Sequence, residues 1–171
     1  AGYHPNLHRD TSCIFIPDAS PWDGFLLDAG TGVYRLIGRP LPRNLHIFLT
    51  HAHLDHVCGL TYLLNVLLGR QCEVKLYAGP VTLEAVLHTL FDSPLFPLKF
   101  GYPTQVVEPG VPFEVAGVKI NTVSLCHPGG SIGYRFDWPH KSLGYVTDTG
   151  GDVDYVEFIR GVDLLVHERN F

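Results

Sequence analysis

Apolar residues along the chain fall in short runs separated by glycine, proline and polar turns, and the length and period of each run set the element it predicts. Residues 12–16 read as a short strand. Residues 24–28 (GFLLD) read as a second, apolar throughout and stopped by Ala-Gly-Thr-Gly, so burial on both faces is expected. Residues 45–49 (LHIFL) form a third strand that runs directly into a histidine-rich stretch. Residues 59–68 (GLTYLLNVLL) are apolar almost all round and predict a buried helix ended by Gly69. A strand over residues 74–78 follows. Next comes a helix over residues 80–91, with Pro80 in its first turn and an apolar face of Leu83, Val86, Leu87 and Leu90. Residues 93–103, rich in proline and aromatics, predict an irregular loop whose rings sit in the core or at a dimer contact.

From Val106 onward strands dominate. Residues 113–115 and 118–125 flank Ala116-Gly117 as a hairpin. Residues 133–138 and 142–147 follow, joined by Pro139-His140-Lys141; residues 154–160 predict a short helix and residues 163–167 a last strand. Strands first, then strand–helix units, then strands again suit two sheets packed face to face with helices outside, an α/β (α+β) class. With no internal repeat and no linker-like segment, residues 1–171 are expected to form one domain.

Composition agrees with a packed globular chain: 46% of residues are hydrophobic and 17% charged. The net charge of −5 offers no global basic field for nucleic acid, although a local patch stays open. The longest apolar runs, such as residues 63–68, are too short to span a bilayer, and the polar opening with Pro5 is not a signal peptide. Cys13, Cys58, Cys72 and Cys126 form no CxxC pair. Small buried hydrophobes in a reducing cytoplasm are the expectation, for Cys58 and Cys126 beside candidate ligands as well.

The chemistry concentrates in residues 50–56, THAHLDH, with three imidazoles and a carboxylate directly after a buried strand. His51 and His53, two apart, face one side of an extended segment and can chelate one ion. Asp55 lies two further on, and His56 breaks the alternation towards a neighbouring position. The stretch supplies donors for two divalent ions, each partly coordinated, with zinc favoured and iron or manganese also suited. His127 and Asp148 each end a predicted strand just before a glycine-containing turn, so they are candidates to join the cluster.

Together these residues resemble the metallo-β-lactamase superfamily: HxHxDH as His51, His53, Asp55 and His56, an upstream strand ending in Asp28, then His127 and Asp148. HPGGSIGYRF (residues 127–136) and DLLVHERNF (residues 163–171) are similar to the ribonuclease Z and phosphodiesterase branch. The resemblance implies an αββα four-layer sandwich with a dinuclear site at the sheet edge. It implies one ion held by His51, His53 and His127, another by Asp55 and His56, and Asp148 bridging. Asp28 is expected to support the cluster without ligating. His167 and Glu168 are expected near the site. The family's last histidine ligand has no counterpart up to Phe171, so the chain is expected to lack terminal segments. No arm for tRNA docking is evident.

The expected activity is metal-dependent hydrolysis of RNA or a nucleotide phosphodiester. Two ions would share a water and lower its pKa. Asp55 would orient that water and take its proton, and His167 would protonate the leaving alkoxide. Backbone amides of Gly129, Gly130 and Ser131 are candidates to hold a phosphate. Thioester or lactone hydrolysis on the same scaffold and a non-catalytic metal-bound regulatory module are the alternatives. A homodimer is compatible with either activity, and no membrane partner is expected.

Overall fold

Strand β2 (Asp23–Leu27) is an interior strand of the first sheet, as its apolar side chains on both faces require. Phe25 and Leu27 point to one buried cluster and Leu26 to another. The same division runs through β3 (Asn44–Phe48): Leu45 and Ile47 pack on the helix side, and Phe48 faces the second sheet. The computed structural model describes residues 10–150 and 154–167.

The first sheet has the order β1-β2-β3-β4-β5, with β1 (Ile14–Ile16), β4 (Glu73–Ala78) and β5 (Thr104–Val106) completing it. β1 is antiparallel to β2, and β2 to β5 run parallel. The second sheet, β10-β9-β8-β7-β6, comprises β6 (Phe113–Val115), β7 (Val118–Leu125), β8 (Ser131–Trp138), β9 (Lys141–Val146) and β10 (Leu164–His167). It is antiparallel except for the β9–β10 pair. An aromatic core of Phe25, Phe48, Tyr77, Tyr134, Phe136 and Tyr145 fills the space between the sheets. Helices cover the outer face of the first sheet, and α4 (Asp154–Phe158) lies on the second, where the Arg135 guanidinium donates to the Phe158 carbonyl. This is the αββα arrangement.

The expected long helix over residues 59–68 is instead two short pieces, a 3-10 segment (Cys58–Tyr62) and α2 (Leu63–Leu67), preceded by a separate turn of helix, α1 (Leu54–Val57). Nor is it buried all round, since Leu64 and Leu68 are 54% and 80% exposed. The break has a packing cause at Gly59, where a Cβ would lie 2.0 Å from the Gly30 carbonyl oxygen. The backbone must press against the loop after β2 there, and a regular helix cannot follow that path. The expected helix over residues 80–91 also changes register: α3 (Pro80–Ala85) widens into a π turn (Val86–Leu90) that ends with the Phe91 amide bonded to the Val86 carbonyl.

β5 was not expected; it is short and polar, and only its pairing with β4 defines it. The rings at 91, 96, 100 and 102 belong to the core cluster under the first sheet. Cys126 is exposed, contrary to the expectation of burial, because its strand has already ended and only its carbonyl is engaged. Among the described residues no helix is long and apolar enough to cross a membrane.

Candidate metal centre

The topology alone brings the donors to one edge. β2 and β3 are parallel, with Leu27 opposite Phe48, so the residues that follow them emerge side by side. β7 and β9 are each antiparallel to β8, so they run in the same direction, and the residues that follow them also share an edge. Backbone bonds stitch these loops together. The Gly150 amide donates to the Cys126 carbonyl at 2.6 Å, joining the turn after Asp148 to the turn before His127. The Ile132 amide donates to the Thr50 carbonyl and the Tyr134 hydroxyl to the Leu49 carbonyl, joining the sheets. The Ala29 amide donates to the His56 carbonyl and the Gly59 amide to the Ala29 carbonyl.

Asp28 is the organiser beneath the cluster. It is fully buried and has a φ of 54°, a left-handed conformation that Asp tolerates better than most residues. Its carboxylate accepts from the Thr50 amide (2.8 Å), the Thr50 hydroxyl, the Tyr145 hydroxyl (2.8 Å) and His56 Nδ1 (2.8 Å). A proton on His56 Nδ1 leaves Nε2 with a lone pair. Thr50 Oγ1, donating to Asp28, accepts from His51 Nδ1 at 3.0 Å, which leaves His51 Nε2 in the same state. Both Nε2 atoms are buried and have no hydrogen-bond partner among the described residues.

Those lone pairs converge. One carboxylate oxygen, Asp148 Oδ2, lies 3.6 Å from His51 Nε2, 3.8 Å from His56 Nε2 and 3.7 Å from His127 Nε2. His127 Nε2 is 3.1 Å from His53 Nδ1. Donor atoms of His51, His53, His127 and Asp148 all lie within 4.8 Å of one another. Asp55, largely exposed, reaches to 3.7 Å from His56 Nε2. Burial first, then the His56 ring, push the His51 pKa down to about 4 against the charge of Asp28, so the ring is neutral near pH 7. At His56 burial works downward, but the Asp28 hydrogen bond and the charges of Asp28, Asp55 and Asp148 outweigh it and raise the pKa. The field at that ring favours positive charge. Unpartnered buried imidazole nitrogens around a shared carboxylate fit a divalent cation of borderline softness.

His167 is not in the cluster. It is exposed, contacts the Tyr155 hydroxyl at 2.9 Å through Nε2, and lines a cavity of about 890 Å³ whose wall also holds Asp55 and His56. Glu168 and Gly151 lie outside the described residues. Of the candidate phosphate-holding amides after His127, that of Gly130 is engaged within the turn, donating to the His127 carbonyl at 3.0 Å, and Ser131 is a buried residue of β8 paired with Leu125. Gly129 and Gly130, at φ 84° and 82°, serve the turn. Sequence reading passed over Thr50 and Tyr145. Thr50, a polar residue ending an apolar strand, left a faint signal; Tyr145 sits in an ordinary strand pattern and left none.

A family model described as "Beta-lactamase superfamily domain" matches residues 24–171. The chain is 29% identical over 188 residues to a ribonuclease Z of Azobacteroides pseudotrichonymphae, covering 86% of this chain and 65% of that protein. It thus spans less than two thirds of that relative's length. Among solved structures, the metallo-beta-lactamase fold protein YhfI from Bacillus subtilis superposes with a TM-score of 0.76 at 20% identity, covering 99% of this chain and 68% of the other. The short form of human tRNase Z superposes with a TM-score of 0.74 at 21% identity, covering 99% and 74%. These structures share the fold.

Proposed function

The chain belongs to the beta-lactamase superfamily domain family, and from that premise we propose that it is a metal-dependent hydrolase of phosphodiesters, with RNA or a nucleotide as substrate. The observation that carries this reading is the convergence of three imidazole Nε2 atoms, from His51, His56 and His127, on the single oxygen Asp148 Oδ2 at 3.6 to 3.8 Å. A carboxylate in that position suits a bridge between two cations. His51, His53 and His127 would hold one and Asp55 and His56 the other, and zinc fits this donor set best, with manganese or iron as substitutes. The ribonuclease Z relative supports the choice of a phosphodiester.

When bound, the cations would supply Lewis-acid neutralisation of phosphoryl charge and a more acidic water. The chain's own residues do the rest. Asp28 and Thr50 hold the His51 and His56 tautomers so that Nε2 faces inward. Asp55, in the wall of the cavity, orients the attacking water and takes its proton on a carboxylate oxygen. His167, which lines the same cavity, protonates the leaving alkoxide from its doubly protonated form, in which Nε2–H donates to the Tyr155 hydroxyl. The free state of all four cysteines supports a reducing, cytoplasmic location.

Turnover of bis-p-nitrophenyl phosphate with added zinc or manganese, alongside a lactone, tests the reading. Phosphodiester hydrolysis that falls to background in His53→Ala and Asp148→Ala, together with loss of most bound metal by elemental analysis, is the expected result. Lactone hydrolysis alone, or full metal content in both variants, would overturn it.

A further inference from the structure

We propose that an RNA strand leaving the metal cluster runs along an arginine-lined trough to the opposite end of the first sheet, where the indole of Trp22 stacks on one of its bases. Adjacent cavities with shared wall residues mark its course. The cavity that holds Asp55, His56 and His167 also has Arg35, Arg39, Pro17 and Pro40 in its wall. A second cavity of about 1060 Å³ shares Pro17 and Pro40 and continues past Arg70, Arg43 and Trp22. A third, of about 430 Å³, is lined by Arg39 and Arg70 between them. The path therefore leads from the C-terminal ends of β2 and β3, where the donors gather, to their N-terminal ends at Asp23 and Asn44. Five residues of strand separate the two, roughly 17 Å at ~3.3 Å per residue.

The chemistry of the wall selects the occupant. The chain carries a net charge of −5, yet Arg39, Arg43 and Arg70 have no carboxylate within ion-pair distance among the described residues. Arg35 is paired with Asp10. Arg70 is braced in the wall by the carbonyls of Leu36 and Arg39, which accept from Nη1. At the far end the Arg43 guanidinium lies 5.6 Å from the ring centroid of Trp22, and Trp22 is 64% exposed. A large indole held open to solvent beside a guanidinium is a stacking platform for a base, and guanidiniums spaced along a groove follow a phosphate backbone. Asp18 and Glu73 also line the far cavity and moderate its charge. A few phosphate contacts plus stacking fit a single strand better than the dense charge of a duplex.

The inference rests on the phosphodiesterase reading only for the strand's origin at the metal cluster. The test is binding of a short 5′-fluorescein oligouridylate, followed by anisotropy from about 50 to 200 mM salt. The combined Arg39→Glu and Arg43→Glu variant is expected to bind at least tenfold more weakly. The corresponding glutamine variant is expected to lower the slope of log affinity against log salt by about 0.7 for each phosphate no longer neutralised. Trp22→Ala is expected to bind roughly tenfold more weakly with the slope unchanged, since stacking releases no counterions. Wild-type unfolding midpoints would verify that each variant is folded, and the glutamine pair replaces the charge reversals if those unfold. Wild-type-like affinity and slope in folded variants, or no oligouridylate binding by the unsubstituted protein, would overturn the trough. Wild-type turnover of bis-p-nitrophenyl phosphate, measured separately, keeps that outcome distinct from failure of the phosphodiesterase reading.

Discussion

The Tyr145 hydroxyl donates to Asp28 Oδ2 at 2.8 Å, linking the second sheet to the loop after β2 across 117 positions of sequence. Ser12 lies 2.9 Å from the same hydroxyl, so with Tyr145 donating to Asp28, Ser12 donates to Tyr145. Burial, then the Asp28 charge, raise the Tyr145 pKa well above its usual value, so the phenol stays a donor throughout the working pH range. Asp28 in turn fixes His56 and, through Thr50, His51. The geometry of the cluster thus depends on a residue that touches none of its inward-facing nitrogens.

Tyr145→Phe should expose this dependence. It leaves a buried carboxylate short of one donor, a loss of about 1–3 kcal/mol in stability by urea unfolding. Metal affinity should drop ~10–100-fold in competition with a chromophoric chelator, as for other partners that orient metal ligands. Unchanged affinity in a folded variant would show that Asp28 holds its position without the phenol.

Chelation should destabilise the protein. A cation that binds only the folded state at a hundredfold excess over its Kd adds about 2.7 kcal/mol. EDTA is therefore expected to lower the unfolding temperature of the wild type and to leave that of Asp148→Ala nearly unmoved. An equal EDTA shift in both would place the bound metal elsewhere.

Gly59→Ala should be among the most damaging small substitutions. The added Cβ would stand 2.0 Å from the Gly30 carbonyl oxygen and 2.7 Å from that of Ala29, both backbone atoms that cannot swing aside. A cost of about 3 kcal/mol or more is expected in thermal unfolding, at the upper end for overpacking. A loss under about 1 kcal/mol would mean that the loop after β2 yields more readily than its bonds to His56 and Gly59 suggest.

Asp23 should set part of the acid limit of stability. Burial works to raise its pKa, but hydrogen bonds with Ser20, His46 and Asn44 outweigh it and hold the pKa below the ordinary 3.8. A depressed folded-state pKa stabilises the fold above the unfolded value, and that stability is lost as pH falls through the folded value. The gap in unfolding temperature between wild type and Asp23→Asn should therefore be full near pH 6 and shrink below about pH 4. A gap that does not change with pH would remove the ionised carboxylate from the account.

Local pattern carried a large part of this protein. Alternation and run length marked nine of the ten strands among the described residues within a residue or two, because side-chain period depends only on which face is buried. The ninth and tenth strands needed no more than six and four apolar-rich positions to be legible. The donor types were legible for a similar reason: His51, His53, Asp55 and His56 are neighbours in the chain, and His127 and Asp148 each follow a strand.

Contacts between distant segments decided the rest. The break in the helix after His56 comes from the approach of Gly59 to Gly30, which no periodicity encodes. β5 exists through its pairing with β4. Thr50 and Tyr145 gain their roles only because Asp28, far from both in sequence, is buried between them and must have its carboxylate satisfied. The chain by itself determines which residues can bind, since that is covalent chemistry and local spacing. Which nitrogen faces inward, and what holds it there, is settled by burial and hydrogen bonding, which exist only once the two sheets have closed on each other.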